Sequence, residues 1–295
     1  MRHLPTSQLI NVHDKLFLID CGEGSQLQLR KYKFRFQRID NIFISHLHGD
    51  HYLGLMGLLS SMHLLGRKKK LNLYAPPALQ EILEVQFRAS ETRLSFEIEY
   101  INSIVKETTL LYEDRTVEVY AFPLKHRVKC SGFLFTEKER KAKVMRPKIQ
   151  EFGLTVSEIL AAKEKRDIER ESGEVIKWQW VTHLPEPPRK YAFCSDTAYS
   201  EKVIEAVKGV DLLYHEATFL SNLEKRAKET FHTTAAQAGE VAKKAKVGQL
   251  MIGHFSSRYS DDDLLLEETK TVFENAIAAN EGLTVAVQSH DNSQA

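Results

Sequence analysis

At 295 residues, with 42% hydrophobic and 27% charged side chains, the chain has a globular composition and enough length to bury a full core, which excludes a disordered polypeptide. The 41 basic and 40 acidic residues leave a net charge of +1, so the whole-molecule field does not select a polyanion and any such case rests on local clustering. Cys21, Cys130 and Cys194 are scattered with no C-x-x-C spacing, no apolar run is long enough to span a bilayer, and no signal-peptide pattern is present; a cytoplasmic protein is expected.

In chain order, Gln8 to Val12 and Leu16 to Asp20 read as strands joined by a tight turn at His13-Asp14-Lys15. Asn41 to Ser45 is a buried strand that runs into a histidine-rich string. Gly54 to Leu65 reads as a helix with Leu55, Leu58, Leu59 and Met62 on one stripe. Leu71 to Ala75 is a strand, and Pro77 opens a helix to about Arg88. Strands follow at Ser95 to Ile101, Thr116 to Phe122 and Gly132 to Thr136. Residues 137–190 change character: basic residues crowd Lys138 to Lys148, a helix runs from Thr155 to about Arg166, and Pro185, Pro187 and Pro188 close the stretch. This reads as an inserted arm without a separate core. Strands at Tyr191 to Ser195, Leu212 to Tyr214 and Gln249 to Ile252 then alternate with helices at Thr234 to Ala245 and after Ser260. The alternation predicts a single α/β layered domain over 1–295 that carries the arm.

The chemistry concentrates in His46-Leu47-His48-Gly49-Asp50-His51. On an extended segment His46 and His48 point the same way and can share one metal. Gly49 permits a sharp turn, beyond which Asp50 and His51 can aim at a second. Imidazoles mixed with a carboxylate suit zinc or a similar borderline ion. Further ligands are expected at other strand ends, where His126, Asp196 and His254 each follow an apolar run. Singly, these read equally well as loop histidines or a capping aspartate.

The H-x-H-x-D-H string with later His, Asp and His resembles the metallo-β-lactamase superfamily, whose fold is a four-layered αββα sandwich. The resemblance implies one metal held by His46, His48 and His126, another by Asp50, His51 and His254, and Asp196 bridging them; two Zn2+ are expected, with Mn2+ or another divalent ion as the alternative. Within the superfamily, Asp20-Cys21-Gly22-Glu23-Gly24-Ser25-Gln26 resembles a signature of the ribonuclease Z family of tRNA 3′-processing endonucleases. His215-Glu216-Ala217-Thr218, Phe231-His232-Thr233-Thr234 and Gly253-His254-Phe255-Ser256-Ser257-Arg258-Tyr259 resemble further loops of that family. By this resemblance Asp20 orients a ligand histidine. Glu216 orients His232, which protonates the departing ribose oxygen while Asp50 takes up a proton from the attacking water. Read alone, Glu216 is a helix-entry or surface residue and His232 a histidine ahead of a helix cap.

The same family carries its tRNA-binding arm between the positions of His126 and Asp196. Here the arm lacks the usual Gly-Pro-rich motif and reads Phe152-Gly153-Leu154-Thr155 instead. The family's extra strand and Gly-rich turn before Leu4-Pro5-Thr6 are also missing, which is expected of a truncated reading. Lys138, Arg140, Lys141, Lys143, Arg146 and Lys148 oppose two acidic residues in the arm's first stretch, a local phosphate-binding pattern; Lys138, Arg140, Lys141 and Lys143 are the candidate contacts there. Ser257 and Arg258 are further candidates, although Arg258 also suits pairing with Asp261 or Asp262. Arg67 to Lys70 reads as a solvated face. The implied substrate is precursor tRNA, cut after the discriminator nucleotide by a homodimer with no membrane attachment. The competing readings are a small-molecule phosphodiesterase, thioesterase or lactonase of the same fold, and a non-catalytic RNA-binding relative.

Overall fold

The computed structural model describes residues 3–289, so both ends of the expected 1–295 domain lie outside that range. Of these residues, those up to Thr136 and from Arg189 onward form one compact unit, and Glu137–Pro188 a second.

The first unit begins with the hairpin of β1 (Gln8–Val12) and β2 (Lys15–Ile19). Its turn residues His13 and Asp14 both take positive φ, 49° and 65°, the handedness that matches strand twist in a two-residue turn. Next come α1 (Ser25–Lys31), β3 (Ile39–Phe43), α2 (Gly49–Tyr52), α3 (Leu55–Leu64), β4 (Leu71–Ala75), α4 (Ala78–Ala89) and β5 (Ile98–Asn102). Strands β1 to β5 form one sheet in sequence order, parallel from β2 onward. The chain continues through β6 (Thr109–Glu113), β7 (Val117–Pro123) and β8 (Ser131–Glu137) into the second unit. That unit comprises β9 (Lys143–Val144), α5 (Arg146–Glu151), α6 (Val156–Lys163), β10 (Ile168–Glu169), β11 (Val175–Ile176), α7 (Trp178–Val181) and β12 (Thr182–His183). The first unit resumes with β13 (Lys190–Cys194), α8 (Glu201–Ala206), β14 (Leu212–Glu216), α9 (Glu224–Thr230), α10 (Ala235–Ala245), β15 (Gln249–Gly253), α11 (Asp263–Val272) and β16 (Ala276–Ala278). Its second sheet is ordered β16-β15-β14-β13-β8-β7-β6.

Side-chain alternation along the strands sorts the core into layers. Phe17, Phe43 and Tyr74 from the first sheet meet Val119, Phe133, Phe193 and Tyr214 from the second. Tyr74 stacks on Phe43 with ring centroids 4.3 Å apart, and Tyr214 on Phe193 at 4.9 Å. The alternate residues Leu18, Ile42 and Leu73 pack outward under Leu55, Leu58 and Leu59 of α3. On the other outer face Ala192, Leu213 and Ile252 pack under Ala238 and Val241 of α10. The result is the αββα metallo-β-lactamase fold. Among the described residues no helix is long and apolar enough to cross a membrane.

Two expectations are corrected. The segment Glu137–Pro188 packs a small core of its own from Val144, Leu154, Ala162, Ile168, Ile176 and Val181. Apart from α6, which the sequence shows as a helix from Thr155, its elements are two to six residues long and too short to print a periodicity, which is why the sequence suggests no separate core. Arg67 is buried, not solvated. Its guanidinium donates to Asp40 at 2.9 Å and to the carbonyls of Gln37 and Lys70, while Lys69 and Lys70 pair with Asp40 and Glu99.

Candidate metal centre

The candidate residues gather at the carboxyl ends of strands. His46 and His48 follow β3 and lead into α2, where Asp50 and His51 sit on its first turn. His126 follows β7, Asp196 follows β13, Glu216 ends β14 and His254 follows β15. Parallel pairing of β13, β14 and β15 brings the last three side by side. His254 holds a left-handed backbone, φ 58°, a conformation that costs a non-glycine residue on the order of 1 kcal/mol and signals an imposed position.

Two sets of ligand atoms result. His46 Nε2 lies 3.0 Å from His48 Nδ1, which lies 3.3 Å from His126 Nε2. Asp196 Oδ2 is 3.7 Å from His46 Nε2 and 3.8 Å from His126 Nε2. The other oxygen, Oδ1, faces the second set, 3.4 Å from His51 Nε2 and 3.3 Å from His254 Nε2. Asp50 Oδ2 closes that set at 3.4 Å from both imidazoles. Tetrahedral ions with bonds of about 2.0–2.1 Å have polyhedron edges of about 3.3–3.4 Å, so both sets fit divalent cations. Among the described residues, buried His51 Nε2 and Asp196 Oδ1 have no hydrogen-bond partner, although burying such atoms unpaired is costly. A shared cation removes that cost.

A second layer fixes the rings. Asp20, fully buried with φ 53°, accepts from His51 Nδ1 at 2.7 Å and from the Ser45 backbone N–H at 2.8 Å. That second bond takes Ser45 off the expected strand, since its N–H serves a side chain and not a neighbouring strand. His126 Nδ1 donates to the Phe231 carbonyl at 3.0 Å. Each ring therefore keeps its other nitrogen for the centre.

Beside these sets lies a carboxylate–imidazole pair. Glu216 is fully buried, and its Oε1 accepts from His232 Nδ1 and the Thr197 N–H, both at 2.8 Å. Its Oε2 accepts from the Thr218 hydroxyl at 2.6 Å and the Thr233 N–H at 3.1 Å. His232 stacks beside His254 with centroids 5.5 Å apart. Burial disfavours the His232 imidazolium, but the Glu216 hydrogen bond and charge outweigh it and raise the ring above its ordinary value. A protonated imidazole near neutral pH, held by a carboxylate, is a competent general acid.

The sequence did not single out Ser45, Thr197 or Thr218 for these bonds. Ser45 Oγ reaches Asp20, His46 and Ser195, and the Thr197 hydroxyl accepts from the Lys125 N–H at 3.0 Å beside His126. Their one sequence signal is position, Ser45 before His46, Thr197 after Asp196 and Thr218 two residues after Glu216, and it does not distinguish them from surface residues. Ser257 and Arg258 are exposed, and the Arg258 guanidinium lies 5.9 Å from the centre of the Phe219 ring. Lys138, Arg140, Lys141 and Lys143 belong to the second unit, where Lys141 pairs with Glu164 at 2.9 Å and Arg140 with Glu137 at 3.7 Å.

Comparison with known proteins agrees with this geometry. Residues 144–255 match the β-lactamase superfamily domain, and residues 1–138 match the family described as anti-Pycsar protein Apyc1. The ribonuclease Z of Bacteroides fragilis strain YCH46 is 46% identical over 286 residues, covering 97% of this chain and 94% of that protein. The ribonuclease Z of Porphyromonas gingivalis strain W83 is 41% identical, covering 96% and 93%. The short form of human tRNase Z superposes with a TM-score of 0.68 at 23% identity, over 96% of this chain and 93% of that one. The Bacillus subtilis metallo-β-lactamase fold protein YhfI gives 0.65 at 19%, over 95% and 90%. The identities to the bacterial enzymes, sustained over nearly their full length, establish that the chain belongs to the ribonuclease Z family.

Proposed function

We infer that the protein is a metal-dependent endoribonuclease that removes the 3′ trailer of precursor tRNA by hydrolysing the bond after the discriminator nucleotide. The observation that carries this beyond generic hydrolysis is the hydrogen bond between buried Glu216 and half-buried His232, set against the candidate ligand cluster. A thioesterase or lactonase has no need of a separate acid for a ribose oxygen.

In this reading His46, His48 and His126 would hold one ion and Asp50, His51 and His254 the other, with Asp196 placed between the two sets. The donor chemistry favours two Zn2+, with Mn2+ as the competing ion. Bound there, such ions would supply a nucleophile from water at neutral pH and offset charge at phosphorus. Asp50, whose side chain is about half exposed, would take up the proton that water surrenders. His232, with Nδ1 committed to Glu216, offers Nε2–H to the departing 3′ oxygen and leaves a tRNA 3′ hydroxyl and a 5′-phosphorylated trailer. Ser257, Arg258 and the arm residues Lys138, Arg140, Lys141 and Lys143 contact phosphates. A homodimer in the cytoplasm completes the reading, supported by exposed Leu27, Leu53, Leu64 and Leu65 on and around α1 and α3, and by three buried unbridged cysteines.

The test incubates zinc-loaded protein with end-labelled precursor tRNA and maps the new 3′ end. Cleavage directly after the discriminator is expected, with a loss of at least about a hundredfold in kcat for His232→Ala. A His232→Ala enzyme within about threefold of wild type excludes the acid role.

A further inference from the structure

Thr218 occupies a place that neither the ligand set nor the acid pair accounts for. Its hydroxyl oxygen lies 2.6 Å from Glu216 Oε2, 3.0 Å from His254 Nδ1 and 3.0 Å from the His254 carbonyl. The residue is buried, so its one proton must be committed to a protein acceptor. The short contact to an ionised carboxylate is the strongest of the choices, and the proton belongs there. Towards His254 the oxygen can then only accept, which requires the proton of that ring to be on Nδ1. When that ring is neutral, as a metal ligand must be, its Nε2 is thereby left with the lone pair, on the side of Asp50 and Asp196.

The backbone holds this arrangement from both sides. The Ala217 N–H donates to the Gly253 carbonyl at 2.9 Å, and the Ser256 N–H to the Thr218 carbonyl at 3.1 Å. Glu216 therefore serves two histidines: His232 directly through Oε1, and His254 through Oε2 and one intervening hydroxyl.

We propose that Thr218 is a positioning residue whose hydroxyl joins the second metal subsite to the proton-donor pair, so that Glu216 governs metal affinity as well as proton delivery. The proposal rests on reading His254 as a ligand and Glu216 as the partner of His232. Its particular content is that the two are linked through one oxygen atom. A carboxylate that backs a ligand histidine through such a link behaves like other outer partners of metal ligands, whose removal weakens binding by about tenfold to a hundredfold.

The test titrates zinc against a chromophoric chelator for wild type, Thr218→Val, Thr218→Ser, Glu216→Gln and the Thr218→Val/Glu216→Gln double variant. Thermal melts confirm folding, and Thr218→Ala replaces Thr218→Val if the latter does not fold. Thr218→Val and Glu216→Gln should each weaken one of the two zinc equivalents by about tenfold to a hundredfold and leave the other unchanged. Thr218→Ser should restore affinity to within about threefold, and the double variant should be no weaker than the worse single one, the signature of a shared path. At saturating zinc, Thr218→Val should lower kcat with KM unchanged. Wild-type affinity in Thr218→Val, or additive losses in the double variant, overturns the link. Wild-type protein that binds two zinc ions with this coupling yet leaves precursor tRNA intact would overturn the substrate reading while the link stands.

Discussion

Burial, reinforced by the neighbouring His51, pushes the His46 imidazole down to about 2, whereas at His254 the Asp196 and Asp50 carboxylates overcome burial and raise the ring to about 9. His51 is raised as well, burial again being outweighed by Asp20 and Asp196. Without ions, then, the first ligand set is neutral at pH 7 while the second carries imidazolium protons. An ion entering the second set must displace them, because only the neutral ring ligates. Zinc affinity there should fall as pH drops below about 9, and loading at pH 7 should release at least one proton. Calorimetry in buffers of different ionisation enthalpy reads that number directly; zero release would refute the assignment of His254 as a ligand. A second residue-scale expectation concerns Gly22. A Cβ there would lie 2.3 Å from the Asp50 carbonyl and 2.4 Å from Pro5 Cβ, and a Cβ on Gly54 would lie 2.0 Å from the Gly22 carbonyl. Gly22→Ala should therefore displace the turn bearing Asp50 and His51 and lower zinc content, measured by elemental analysis. The cluster of candidate ligands was legible because six contiguous residues hold four of them. The hydroxyls of Ser45, Thr197 and Thr218 were not, since a lone Ser or Thr has no spacing that distinguishes a bridge from a surface residue.

At the scale of elements, the best-specified helices are those with a capping box. Thr234, two residues after His232, accepts from the Gln237 N–H at 3.2 Å while Gln237 Oε1 accepts from the Thr234 N–H at 3.1 Å, and α10 starts at the next residue. Thr234→Ala should cost about 1 kcal/mol in urea denaturation, the usual penalty for a removed cap. Thr155 and Glu158 cap α6 in the same way, and Arg170 donates to Glu158 at 2.8 Å. The Arg170 hydrogen bond and the Thr155 N–H hold the Glu158 carboxyl down to about 2. A carboxyl depressed on folding stabilises the fold above its ordinary value near 4.5 and loses that effect as pH falls towards 2. The difference in melting temperature between wild type and Glu158→Gln should thus be present at pH 6 and shrink steadily below about 4.5; a difference independent of pH would remove the ion pair as its source. Long apolar-striped helices such as α3 were readable from the chain. Short ones such as α1, α8 and α9 were not, because one or two turns carry too few buried positions to set a period.

For the molecule as a whole, a net charge of +1 means that RNA affinity must come from local surfaces. Those on the arm are not bare: Lys141, Lys148, Lys165 and Lys177 pair with Glu164, Glu151, Glu139 and Asp167. Such exposed pairs are each worth about 1 kcal/mol or less, so phosphate can displace the carboxylates at little cost. The ladder joining β8 to β13 allows this to be tested cleanly. Thr136 lies opposite Lys190 in antiparallel register, so a two-residue Asn-Gly turn can replace residues 137–189 without disturbing either sheet. The candidate ligand residues and the Glu216–His232 pair all belong to the other unit, which has its own three core clusters. The shortened protein should therefore keep its zinc and hydrolyse a small phosphodiester such as bis(p-nitrophenyl) phosphate at the wild-type rate. Against precursor tRNA its KM should rise, and the dependence of log affinity on log salt should flatten by about one for each phosphate that the arm no longer neutralises. Equal losses on both substrates would mean that the arm supports the catalytic unit and does not hold RNA, and an unchanged KM for precursor tRNA would place the phosphate-binding residues elsewhere, with Ser257 and Arg258 the next to substitute.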